Sequence, residues 1–137
     1  MRRAQINYAR PGSLPEQIMA LWTIFLLGTL WHTQLALIPL SHHLSLTELQ
    51  PDAALQISTV VGFMLVFLSL PMIAMIAAAF STSRGFRTVH LGLTLAYSLF
   101  NLLHLVLDIR MAVPAEQLIL MGCLFLIGLL LNGVAYR

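Results

Sequence analysis

Four runs of apolar residues, each about 20 residues or longer, dominate the chain, and that length is what a helix rising about 1.5 Å per residue needs to cross a hydrocarbon core roughly 30 Å thick. They fall at Ile18–Leu40, Ala53–Phe80, Thr88–Leu107 and Leu118–Tyr136. With 59% of 137 residues hydrophobic and 9% charged, too little polar surface remains to cover a water-soluble core. The expected fold is an all-α integral membrane four-helix bundle, one transmembrane domain over residues 1–137 with short loops. The first apolar run carries no cleavage site of the signal-peptide kind and is expected to stay as a helix.

Local punctuation agrees with these spans. Ser13-Leu14-Pro15-Glu16 reads as a capping box, and Pro51-Asp52 and Pro114 stand where helix starts tolerate proline. Ser81 to Arg87, with Gly85, reads as a short turn, and Pro71 is placed to kink the second span.

Arg2, Arg3, Arg10, Arg84, Arg87 and Arg137 fall on one side of this zigzag and Arg110 on the other. The positive-inside rule then predicts N-in/C-in topology in a plasma (inner) membrane of bacterial type, with both termini cytoplasmic. The outer connections carry His42, His43, Glu48, Asp52, Asp108 and Glu116. A scattered net charge of +2 argues against nucleic acid as a partner. Cys123, the single cysteine, rules out an intrachain disulfide or a multi-cysteine zinc site.

Along the third span, His90, Thr94, Tyr97, Asn101, His104 and Asp108 recur at steps of four and three, which puts all six on one helical face. Charged groups in hydrocarbon cost roughly 2.5–3.5 kcal/mol in the worst cases, so this ridge is expected to face the bundle interior. Interhelical hydrogen bonding alone, at about 0.6 kcal/mol apiece, would account for such a ridge. Two imidazoles, a phenol, an amide and a carboxylate exceed what that task needs.

The first span carries a matching stripe through Thr29, His32, Ala36, Pro39 and His43. At about 1.5 Å per residue, His32 and His104 lie about 21 and 24 Å from the cytoplasmic ends of their helices, so they are expected to face each other. Neutral imidazole binds first-row transition metals or haem iron. The cofactor expected is therefore haem or a divalent transition metal. Haem would take His32 and His104 as axial ligands beside Asn101 and Tyr97; a metal ion would take His32, His104, Asp108 and His43. Met64, Met72 and Met75 in the second span read mainly as core filling. Trp22, Trp31 and Tyr136 read as interface anchors or bundle filler, and Gly122, Gly128 and Gly133 as signs of close packing without GxxxG spacing.

His90 and His104, fourteen residues apart, resemble the spacing from which two stacked haems hang on one helix in b-type cytochromes. At the height of His90 the other spans offer Leu21, Trp22, Asn132 and Tyr136 but no second histidine, so at most one haem is expected, near His104. His90 is expected to meet water, a lipid headgroup or the neighbouring turn. Phe100-x3-His104 and His104-x3-Asp108 resemble fragments of the intramembrane CAAX-type proteases, whose double-glutamate motif this chain lacks. No catalytic triad spacing, phosphate loop or HExxH run occurs, and a self-contained enzyme is not expected.

Three functions follow from these residues. The first is a small membrane protein holding haem or metal between its first and third helices, for electron transfer or metal handling. The second is a structural or assembly subunit of a larger membrane complex, pigment-binding in one version, partnered by other membrane subunits or by copies of itself. The third is a proton-coupled transporter: length and layout are similar to the small multidrug-resistance exporters, with His32 and the Tyr97, Asn101, His104 and Asp108 ridge in place of their membrane glutamate.

Overall fold

The computed structural model describes residues 12–41, 53–81 and 83–137, the side chains of 36–41, 53–58 and 60 excepted. The described residues form four helices, α1 (Leu14–Ser41), α2 (Ala53–Phe80), α3 (Arg84–Arg110) and α4 (Ala115–Tyr136), and no strand. All four are long and apolar enough to cross a bilayer. The architecture is the expected all-α bundle.

Helix ends reach past the apolar runs, because a helix continues for as long as its terminal N–H groups find partners. α1 starts at Leu14 rather than Ile18, where Glu16 Oε2 accepts the Ser13 N–H at 2.7 Å, the carboxylate half of the expected capping box. α3 starts at Arg84 rather than Thr88, since Ser83 Oγ accepts the Phe86 N–H at 3.2 Å and caps it. The turn expected over Ser81–Arg87 is thus shorter, and Gly85 is helical. α4 begins directly after Pro114. The Pro51-Asp52 signal lies outside the described residues.

α3 ends in a tight corner. The Val113 N–H donates to the Asp108 carbonyl at 3.2 Å, and Ala112 between them adopts φ 52°, a left-handed conformation more usual for glycine. The corner ties down the backbone of Asp108.

α4 packs along both α1 and α3, and α2 leans on α1 while barely touching α3. α1 and α3 stand diagonally opposite, and long side chains fill the space between them. Ile18, Trp22, Phe25 and His32 make the buried face of α1, at steps of four, three and seven, and Met121, Leu124, Gly128, Leu131 and Ala135 that of α4, at steps of three and four. Trp22 is fully buried, edge-on to Phe25 and Tyr97 at 5.6 and 5.2 Å between ring centroids. It is core filling, whereas Trp31 and Tyr136 are exposed.

Of the three glycines in the fourth span, Gly128 makes the close approach. A methyl group there would meet Ser98 Oγ at 3.0 Å, while Gly122 and Gly133 face open space. Beside it, Asn132 Nδ2 donates to Ser98 Oγ at 2.8 Å and joins α4 to α3.

α2 runs unbroken through the buried Pro71. A proline has no N–H to give the carbonyl four residues earlier, here that of Phe67. The Tyr97 hydroxyl donates to that carbonyl at 2.5 Å, so α3 supplies the bond α2 cannot make for itself. Large apolar side chains such as Phe80, Val89, Ile119 and Leu130 cover the exterior, a surface suited to lipid rather than water.

Candidate functional site

The ridge on α3 faces inward over most of its length. His90, Thr94, Tyr97, Asn101 and Asp108 are buried, together with Ser98, which shares their face. His104 departs from the pattern, with about half of its side chain exposed (53%). It stands at the rim of the gap between α2 and α3.

His32 on α1 and His104 on α3 meet across the bundle. Their Nε2 atoms are 3.3 Å apart and the rings lie edge to face. Asp108, one turn beyond His104, reaches both: Oδ1 lies 3.5 Å from His104 Nε2 and Oδ2 3.7 Å from His32 Nε2. His32 and Asp108 are buried, and the three side chains can offer ligand atoms all within 4.8 Å of one another. His43, the fourth expected metal ligand, lies outside the described residues.

These separations can be compared with what each cofactor needs. Two ligands held about 2.0–2.1 Å from a tetrahedral ion lie about 3.3 Å apart. The two imidazole nitrogens, 3.3 Å apart, match one edge of such a tetrahedron, and the Asp108 carboxylate presents a different oxygen to each of them, at 3.5 and 3.7 Å. Axial imidazoles of a haem stand on opposite sides of the iron, their Nε2 atoms about 4 Å apart with the porphyrin between them. The Asp108 carboxylate touches the space a porphyrin would occupy. The geometry suits a small ion better than haem.

Electrostatics point the same way. A buried carboxylate is costly unless paired or bound to a cation. Asp108 has two imidazoles beside it, and its charge is balanced when a metal ion or a proton sits among the three. Three buried side-chain atoms of this region, His32 Nδ1, Asn101 Nδ2 and Asp108 Oδ2, have no hydrogen-bond partner among the described residues. Buried polar atoms are satisfied as a rule.

A cleft of about 390 Å³ adjoins the cluster, lined by His32 of α1, by His104 and Asn101 of α3, and by Phe25, Phe63 and Phe67 among its apolar residues. Tyr97, expected near a cofactor, is instead bound to the Phe67 carbonyl and packs against the Phe67 ring at 4.6 Å.

His90 lies apart from this cluster. Its Nε2 accepts the indole N–H of Trp22 at 2.9 Å in the buried core, rather than meeting water, headgroup or turn. Trp22 had been legible at that height but as bulk, not as a donor. Ser98 and Asn132 form a second pair that the ridge spacing did not single out. The signal for it was Asn132 itself, an amide in an apolar helix that needs a partner at its own depth. Along the ridge, Thr94 donates to the Leu91 carbonyl within α3, while the Tyr97 bond to Phe67 and the Trp22 bond to His90 cross to α2 and from α1.

Comparison with known protein families, with characterised proteins and with solved structures finds no match to this chain.

Proposed function

We propose that this chain is an integral protein of a plasma (inner) membrane that binds a divalent transition-metal ion between α1 and α3, and that its role is metal handling near the outer face. The observation that carries this reading is the meeting of His32, His104 and Asp108, whose ligand atoms lie within 4.8 Å of one another with the two imidazole nitrogens 3.3 Å apart. Among the described residues three protein ligands leave a fourth position, which His43 or an exchangeable ligand would take. Imidazole nitrogens with a single carboxylate favour zinc, copper or iron over calcium or magnesium, which prefer all-oxygen shells.

Arginine distribution supports the orientation. Arg84 begins α3 and Arg137 follows α4, at the end of the bundle away from Asp108. The positive-inside rule assigns that end, and both termini, to the cytoplasm, and the metal cluster to the outer half.

Zinc titration of the purified full chain in detergent, read by competition with a chromophoric chelator, tests the reading. One ion per chain is expected, with affinity at least tenfold lower in each of His32→Ala, His104→Ala and Asp108→Asn. Absence of binding, or binding that none of the three substitutions weakens, would overturn it.

A further inference from the structure

A second cavity lies at the end of the bundle away from the histidines. It has a volume of about 360 Å³ and sits between the start of α3 and the end of α4, lined by Arg84, Arg87, Thr88 and Leu91 on one side and by Ala135 and Tyr136 on the other. Arg84 and Arg87 stand three residues apart on α3, so their side chains are neighbours on one helical face and border the same hollow.

Neither arginine is paired with a carboxylate among the described residues, whose ion pairs involve only His32, His104 and Asp108. Glu16, the acidic side chain described at this end of the bundle, accepts the N–H of Ser13 in its own cap. The Thr88 hydroxyl donates to the Arg84 carbonyl at 3.2 Å, whereas the Tyr136 hydroxyl makes no hydrogen bond within the described residues. The cavity thus holds two cations and a hydroxyl without acceptors, and the amino end of α3 adds its own positive potential.

Depth narrows the choice of anion. The apolar run of α3 begins at Thr88, which puts Arg87 and Arg84 about 1.5 and 6 Å outside it along the helix. Phospholipid phosphates lie in that layer, just beyond the hydrocarbon boundary. Leu91 and Ala135 give the cavity an apolar floor, and Leu95, one turn deeper along the same face of α3, is 52% exposed.

From the unpaired arginines and their depth we propose that this seam binds one anionic phospholipid, its phosphate between Arg84 and Arg87 and an acyl chain over Leu91 and Leu95. The guanidinium fork matches phosphate oxygens, and basic pockets between helices at the cytoplasmic face are suited to such headgroups. A glycerol headgroup leaves the phosphate charge uncompensated. A choline headgroup brings an ammonium against two guanidinium groups, so the site discriminates against it. The inference goes beyond the metal reading and does not rest on it.

The test is native mass spectrometry of the full chain in detergent, titrated in parallel with dioleoyl phosphatidylglycerol and dioleoyl phosphatidylcholine. One phosphatidylglycerol per chain is expected, bound about fivefold or more tighter than phosphatidylcholine. Arg84→Gln and Arg87→Gln should each weaken it about fivefold, while Arg110→Gln, the same charge change at the other end of α3, should leave it unchanged. Far-UV circular dichroism of the variants should match the parent chain, and the lipid preference of the parent needs no variant. Inorganic phosphate in tenfold excess should leave the lipid bound. Equal binding of the two lipids, equal loss in Arg110→Gln, no loss in either cavity variant, or displacement by phosphate, the mark of a soluble-anion site, would overturn the proposal.

Discussion

Asp108 is the residue on which the site turns, because a carboxylate this well buried in an apolar bundle is tolerated only beside a compensating charge. His104 is half exposed at the cleft rim, so His104→Ala should remove a ligand at little cost to the fold. Its expected signature is lost metal binding with an unfolding midpoint in mixed micelles close to that of the parent chain. Trp22→Phe should do the opposite. It deprives the buried His90 Nε2 of its donor and is expected to cost about 1–3 kcal/mol in the same unfolding measurement, with metal binding retained. The spacing of the α3 ridge made most of its inward-facing residues legible, since steps of three and four leave one face to bury. What it could not reveal is which group on another helix each residue meets. His90 found an indole rather than water, a headgroup or the turn, because partner choice depends on the height and rotation of α1, which no single helix records.

Between elements, the clearest dependence is that of α2 on α3. Pro71 leaves the Phe67 carbonyl without its helical donor, and the Tyr97 hydroxyl takes that place. Tyr97→Phe is therefore expected to destabilise the chain by about 1 kcal/mol or more, and to do so less in a Pro71→Ala background, where the restored N–H bonds Phe67 itself. A double-mutant cycle reads the difference directly, and equal costs in the two backgrounds would refute the coupling. At the corner after α3, Ala112→Gly should stabilise by about 0.5–1 kcal/mol, because glycine adopts the left-handed conformation at φ 52° without a steric penalty. Apolar run lengths located all four helices, but they placed the ends of α3 a turn short. Arg84, Arg87 and Arg110 look like loop by hydropathy, yet Ser83 and the Val113 bond to Asp108 keep the backbone helical through them.

At the scale of the whole molecule, α4 serves as the common partner of α1 and α3, and the loose seam between α2 and α3 leaves the cleft beside the histidines. Composition announced a bundle in lipid; the uneven packing that opens one seam follows from shape complementarity, such as Gly128 against Ser98, which residue type alone does not encode. The proposed topology predicts that, in a Cys123→Ser background, Arg137→Cys reacts with a membrane-impermeant maleimide only from the cytoplasmic side. Glu116→Cys, at the start of α4, should react only from the outside. The proposed metal centre is tested most directly by the electronic spectrum of the cobalt(II)-loaded full chain. It predicts the intense visible bands of a tetrahedral centre, one cobalt per chain, lost together in His32→Ala and His104→Ala; weak octahedral bands, or a spectrum indifferent to both substitutions, would contradict it.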